Sequence, residues 1–476
     1  MRRTKIICTL GPAVDTVEDL AGLIRGGMNG ARFNFSHGTH ASHLATLQRL
    51  RAAAEAAGRM PALLLDTKGP EIRVKTFAAG AAELREGALF TLYARDRAGD
   101  SAGVSVTYAG LARELACGNR VLLDDGLISL RVARIAGEDV ECRVEIGGTL
   151  SDNKSINLPD TAVRLPAITD RDREDLRFAV ENGYDYVAAS FVRTAEDVRQ
   201  IRACLEEFGG GDIMIIAKIE NREGVDNADE IIAAADGLMV ARGDLGVEVP
   251  AAQVPDIQKK LIQKCRRMGK TVVVATQMLE SMLHSPRATR AEVSDVANAV
   301  YDGASCVMLS GETASGQYPR ESLRTMAEVV CAAEDAQDYW AEVKRGSDAE
   351  RFNPVTDVLT YAACVAARDL RSSVILTATQ SGYTAKMLSR FRPGCPIVAL
   401  SPVPRVCRQM ELVWGAAGYE MPAAESTDEI IEGCVRTALE HGYASPGDEA
   451  VITCGVPIGR TGSTNLLRVK TISGND

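Results

Sequence analysis

Residues 213–220 read IMIIAKIE, an apolar run that ends in Lys218 and Glu220. Four other stretches share that design: YVAASF (186–191), GLMVARGD (237–244), TVVVATQ (271–277) and CVMLSGE (306–312). Amphipathic helical stretches separate them. Near the N-terminus the same alternation runs through TKIICTL (4–10), GARFNFS (30–36) and PALLLDT (61–67), with helical periodicity at 16–27 and 40–58 between them. The apolar period changes from two to 3.6 and back along these segments. Three strands before an interruption and five after it make eight β-then-α units, the count of a TIM (β/α)8 barrel, whose functional groups sit at the C-terminal strand ends. The polar residues of this chain cluster at those ends.

The interruption reads as a small all-β domain. ALFTLYA (88–94), VSVTY (104–108), NRVLLDDGLISLRVARI (119–135) and DVECRVEI (139–146) alternate in period two between Gly and Asp turns. After the barrel, strands at 372–379, 395–401, 418–421 and 449–456 and helices at 381–391 and 427–442 describe an open α/β domain. The expected division is barrel at 1–72 and 165–345, β-rich lid at 73–164, and C-terminal domain at 346–476.

Composition bounds the function. With 46% hydrophobic and 25% charged residues over 476 positions, the chain has ample material for several cores. A formal charge of −10 argues against nucleic-acid or anionic-membrane binding, so any phosphate must meet a local site. No run is long enough to span a bilayer, and MRRTKIICTLGP lacks the apolar core of a signal peptide. Twelve cysteines without a C-x-x-C pair suggest neither a zinc site nor a disulfide framework. A reducing cytoplasm is the expected compartment.

The charged strand ends suggest chemistry. Lys218 and Glu220 are two apart and point to one face of a strand, although a lone K-x-E is more often a structural ion pair. Asp244, at the end of the next strand, can converge with Glu220 on a hard cation such as Mg²⁺, which keeps waters and takes further oxygens from substrate phosphate. In ARGD, the amides of Gly243 and Asp244 open a short helix and can hold an anion, and Thr276 offers a hydroxyl to the same mouth. Across the barrel stand Arg32, Asn34, Ser36 and His37, then Asp66, Thr67, Lys68, Glu71 and Arg73. Asn, Ser, Asp and a carbonyl form a low-charge oxygen set suited to a monovalent cation, while Arg32 and Arg73 are forks for phosphate. The spacing of His37, His40 and His43 drifts round a helix and reads as a capped helix entry rather than a transition-metal site. In the C-terminal domain Thr379, Ser381, Gly382 and Thr384 form a strand-to-helix turn that is either a phosphate cradle or an ordinary capped helix start.

The stretches TKIICTLGP, RFNFSHG, LDTKGPEIR, VLLDDGLISL, KIENREG, MVARGDLGVE, ATQMLESM and RATRAEVSDVANAVYDGASCVMLSGETA, in this order, resemble the pyruvate kinases across essentially the whole chain. The resemblance implies a barrel interrupted by a mobile β lid, and phosphoryl transfer from phosphoenolpyruvate to ADP. It further implies that Lys218 neutralises the transferring phosphoryl group and the developing enolate. Glu220 and Asp244 would hold Mg²⁺ (or Mn²⁺). Gly243, Asp244 and Thr276 would bind the substrate carboxylate, and Arg32 its phosphate, with Lys218, Arg32 and Thr276 as the catalytic groups. Asn34, Ser36, Asp66 and Thr67 resemble K⁺ ligands; Asn34, His37, Arg73 and Lys154 resemble nucleotide contacts. By the same resemblance the turn 379–384, closed over by the late loop GVPIGRTGSTN, would take a sugar-phosphate effector in a homotetramer. Val74, Ala217 and Asp160 depart from the family's frequent residues at their positions. A Schiff-base aldolase would need a neutral Lys218, which Glu220 and Asp244 disfavour. A metal-dependent 2-oxo-acid lyase would need no lid, and a sugar-phosphate sensor would need no intact barrel set.

Overall fold

The computed structural model describes residues 2–345, 354–458 and 464–473. Eight parallel strands close into a barrel: Lys5–Thr9, Gly30–Asn34, Ala62–Asp66, Tyr186–Ala189, Met214–Ile219, Gly237–Ala241, Thr271–Ala275 and Cys306–Leu309, with the last pairing back to the first. One set of alternating side chains, including Ile7, Leu64, Ile216, Met239 and Val273, fills the interior; the other packs outward against the helices. Both faces of each strand are therefore buried, which is why these segments read as continuous apolar runs. Threonines at 39, 169, 194 and 289 cap barrel helices, each accepting a backbone N–H three residues on.

The C-terminal domain closes the bottom of the barrel. Leu412 joins the interior cluster, Tyr186 Oη donates to Gln409 O at 2.7 Å, and the buried Lys5 ammonium donates to Ala416 O at 2.6 Å. Only the opposite, C-terminal mouth is left for a ligand.

Between the third and fourth barrel strands the chain leaves to form a six-stranded sheet and a two-stranded sheet around their own core, which includes Val74, Phe90, Val121, Leu130 and Leu150. The run at 119–135 is not one strand. Asp124, Asp125 and Gly126 all take positive φ and split it into Arg120–Leu123 and Ile128–Ala136. The C-terminal sheet has four parallel strands and an antiparallel edge, Thr464–Thr471, that the alternation pattern did not mark. Residues 459–463 of the late loop expected to close over an effector lie outside the described residues.

Candidate active site

The site is built on the ends of barrel strands two to seven. Lys218 Nζ lies 2.9 Å from Glu220 Oε1, 3.1 Å from Asp66 Oδ1 and 2.7 Å from Ser190 Oγ. Arg32 Nε lies 2.6 Å from Asp66 Oδ2, and its Nη1 donates to Thr9 Oγ1 at 3.0 Å. Glu220 Oε2 accepts the Phe191 amide at 2.6 Å. All four charged groups are buried: Asp66 and Glu220 are 1% exposed, Arg32 and Lys218 9%.

Burial would lower the basicity of Lys218, but the carboxylates of Asp66 and Glu220 outweigh it and hold the lysine above its ordinary range. The ammonium form is therefore fixed, against Schiff-base chemistry. Burial likewise opposes ionisation of Asp66, and Arg32 and Lys218 overcome it, so this carboxyl stays below its usual range. Glu220 and Asp244 behave in the opposite way. Burial pushes Glu220 up to about 7 against the pull of Lys218, with Asp244 adding to the rise. Asp244 is raised by burial, offset by Lys218 and reinforced by Asp125, Asp66 and Glu71. The mouth holds three carboxylates, Asp66, Glu220 and the half-buried Asp244, against the two cations Arg32 and Lys218, which fits a divalent cation shared by Glu220 and Asp244. Among the described residues no group of three or more His, Cys, Asp or Glu is placed to hold a metal ion.

Asp244 is not at a strand end, as the sequence suggested. The strand stops at Ala241 and Asp244 stands in the first turn of the helix Arg242–Glu248. The Gly243 amide is engaged by Thr276 Oγ1 at 2.7 Å, so these two groups meet at one point. Thr276 has φ +66° and Gln277 φ +53°, left-handed conformations that are strained for a β-branched residue. Arg242, which the sequence reading passed over, supports the turn: it donates to Thr276 O at 2.8 Å and pairs with Asp295 at 2.6 Å. Ser190 and the Phe191 amide were also missed. Both lie in the AASF stretch, where a serine after an apolar strand was the available signal.

On the other side, Asn34 Oδ1 accepts the Ser36 amide at 3.1 Å, and Thr67 O accepts Ser190 Oγ at 2.7 Å. Each oxygen retains a second lone pair for a cation. His37 is exposed, and its carbonyl meets His43 Nε2 at 2.8 Å. His43 stacks on Phe35 and His40 pairs with Asp175, so the three histidines do not converge. At the lid hinge Arg73 is held by both Glu71 oxygens at 2.7 Å and donates to Asn153 O at 2.6 Å; Lys154 pairs with Asp124 at 2.7 Å. A cavity of about 520 Å³ opens between lid and barrel, bounded by Glu71, Asp125, Asn157, Phe191, Asn221 and Asp244.

In the C-terminal domain Thr379, Ser381 and Thr384 line a cleft of about 50 Å³. Gly382, at φ +75°, donates its amide to Thr379 Oγ1 at 3.0 Å, and Thr384 Oγ1 is 2.7 Å from Thr464 Oγ1. The helix Tyr383–Ser389 that follows has no side-chain cap.

Comparisons with known proteins agree with this geometry. The family model "Pyruvate kinase, barrel domain" matches residues 1–323, and "Pyruvate kinase, alpha/beta domain" matches 357–470. The pyruvate kinase of Geobacillus stearothermophilus is 48% identical over 475 residues, covering 99% of this chain and 81% of that one. That of Clostridium acetobutylicum is 44% identical over 473 residues, covering 99% and 100%. The crystal structure of a pyruvate kinase from Cryptosporidium parvum superposes with a TM-score of 0.94 at 39% identity, covering 99% of this chain and 96% of that one. A buried lysine between carboxylates at the mouth of a lidded barrel, together with matches over both of its parts, places the chain in the pyruvate kinase family, phosphotransferases that convert phosphoenolpyruvate and ADP to pyruvate and ATP.

Proposed function

We propose that the buried Lys218, held as an ammonium by Asp66 and Glu220, carries the reaction. The P–O bond to the enol oxygen breaks while a β-phosphate oxygen of ADP forms the new one, and the enolate left behind takes up a proton to become pyruvate. The demand is for positive charge around the equatorial phosphoryl oxygens and the leaving enolate oxygen. Lys218 supplies it from one side and Arg32 grips the phosphate from another. A substrate carboxylate seated where the Gly243 amide and Thr276 hydroxyl now meet would take both donors, with the Asp244 amide beside them. That contact fixes the substrate's orientation.

Glu220 and Asp244 would hold Mg²⁺ or Mn²⁺, and Asn34, Ser36, Asp66 and Thr67 would hold K⁺. Bound there, these ions add positive charge at the phosphoryl oxygens. The lid, taken as residues 73–164 between barrel segments 1–72 and 165–345, brings Arg73 and Lys154 toward the nucleotide, with Asn34 and His37 on the barrel side. The excess of carboxylate over cation in the mouth supports a metal requirement.

The C-terminal domain, 346–476, is proposed to bind a phosphorylated sugar at Thr379, Ser381, Gly382 and Thr384, and the chain to act as a cytoplasmic homotetramer. The cleft lined by these hydroxyls is the support for the effector; family resemblance supports the assembly. An assay of phosphoenolpyruvate and ADP, run with and without Mg²⁺, K⁺ and a panel of sugar phosphates and AMP, tests the reading. ADP-dependent pyruvate formation that needs both cations and responds to a sugar phosphate is expected. Saturation curves unmoved by every panel member would remove the effector role, and a borohydride-trapped pyruvate adduct on Lys218 would overturn the mechanism.

A further inference from the structure

The helix Arg242–Glu248 touches the reaction site at its first turn and the lid at its last residue. Gly243 and Asp244 are the site end. At the other end Glu248 Oε1 accepts from Asn157 Nδ2 at 3.0 Å. Asn157 ends the last lid strand, Ile156–Asn157, and Leu158 belongs to the lid core. One residue earlier on the helix, Val247 packs beneath the lid turn: a Cβ added at Gly126 would stand 3.4 Å from a Val247 methyl. Gly126 follows Asp125, which lines the same cleft as Asp244. At the return to the barrel, Arg193 holds the carbonyls of Val163 and Leu165, each at 2.6 Å, which anchors the hinge itself.

We infer that Glu248 is a positioning residue for phosphoryl transfer, latching the lid to the helix that carries Asp244. Seven helical residues span only about 10 Å and move as one piece. A displacement of the first turn when a carboxylate and a divalent cation arrive is therefore delivered to Asn157. A carboxylate accepting the Asn157 side-chain N–H gives a charge-assisted link, and its loss leaves that lid donor without its acceptor. Lid position thereby depends on occupancy of the metal and carboxylate subsites. The inference rests on the roles proposed above for Gly243 and Asp244.

The two exposed cysteines among the described residues offer a readout: Cys117 is in the lid and Cys331 on the barrel helix Pro319–Asp335. The full chain, labelled with a donor–acceptor pair on these thiols and diluted with unlabelled chain, is titrated with Mg²⁺ and phosphoenolpyruvate. Wild type should show a saturable change in energy transfer. Glu248→Ala should need roughly tenfold more ligand for that change and lose roughly tenfold or more in kcat, with a smaller effect on KM. Glu248→Gln keeps an oxygen for the Asn157 side-chain N–H and should restore most of both. Asn157→Ala removes the lid partner while leaving the helix intact, so it carries the test should Glu248→Ala not fold. Wild-type energy-transfer titration and kcat in Glu248→Ala or Asn157→Ala would overturn the latch. Asp244→Ala separates the two layers of inference. If Asp244→Ala loses its Mg²⁺ response while Glu248→Ala keeps the wild-type titration, the latch alone fails. If Asp244→Ala keeps the wild-type Mg²⁺ dependence, the metal reading beneath it fails.

Discussion

Lys218→Met tests the reaction's electrostatics most directly. The lysine lies 2.9 Å from Glu220 and 3.1 Å from Asp66, and is 9% exposed, so solvent screens it little. A unit charge about 4 Å from developing negative charge is worth about 4 kcal/mol at an effective dielectric of about 20. Part of that attraction already exists in the bound phosphate, and only the surplus in the transition state appears in kcat. A fall of roughly a hundred- to a thousandfold in kcat is expected, with KM for phosphoenolpyruvate changed much less. Methionine matches the length of the stem, and Asp66 keeps Arg32 as its partner at 2.6 Å, so the fold should survive. Circular dichroism would verify that. Pyruvate formation at saturating substrates, coupled to a reporter, measures the loss. A folded Lys218→Met enzyme with kcat within a fewfold of wild type would refute the assignment of the charge.

Removing either proposed metal ligand by Glu220→Ala or Asp244→Ala should raise the Mg²⁺ concentration for half activity steeply; an unchanged Mg²⁺ curve would give those carboxylates another task. Activity in buffers with only bulky organic cations should be far below that in K⁺, and Glu71→Lys should flatten the difference by supplying the charge in the side chain. Full activity without any small monovalent cation would show that Glu71 serves only Arg73. Burial lowers Lys5 from its ordinary 10.5 to about 8, with Glu411 opposing the shift. Between these values the unfolded chain holds a proton that the folded chain does not, so this group's contribution to stability rises with pH across that window. Denaturant unfolding of wild type and Lys5→Met at about pH 7.5 and about pH 10 should show the difference between them moving in favour of wild type by up to roughly 3 kcal/mol. A pH-independent difference would mean that folding leaves the proton affinity of Lys5 unshifted.

The barrel was legible because each strand is buried on both faces, leaving an apolar run, and because catalysis requires polar groups where those runs stop. Lys218, Glu220, Arg32 and Asp66 follow from that rule, and the structure brings all four within hydrogen-bonding contact. Asp244 followed it only in part, since two residues of helix, Arg242 and Gly243, separate it from its strand. What the sequence hid depends on backbone shape or on distant partners. Nothing in VVVATQ announces a threonine at φ +66°, and Arg242 acquires its purpose only from Thr276 and Asp295, 34 and 53 positions away. The antiparallel edge Thr464–Thr471 carries mixed polarity because most of its side chains are exposed or half-buried, so it leaves no continuous apolar run.

Glu71 shows the same limit at the hinge. A glutamate brings no positive charge of its own to the proposed K⁺ site, and its carboxylate is engaged by Arg73 through two bonds of 2.7 Å. The two roles are compatible. A carboxylate that fixes Arg73 at the proposed nucleotide subsite would also withhold one positive charge from the substrate phosphate, and an ion held by Asn34, Ser36, Asp66 and Thr67 would make up that deficit. Glu71→Gln separates the parts: it keeps an oxygen for Arg73 but releases the arginine's charge. Such a variant should need less K⁺ than wild type while retaining more nucleotide affinity than Glu71→Lys, whose ammonium repels Arg73 outright.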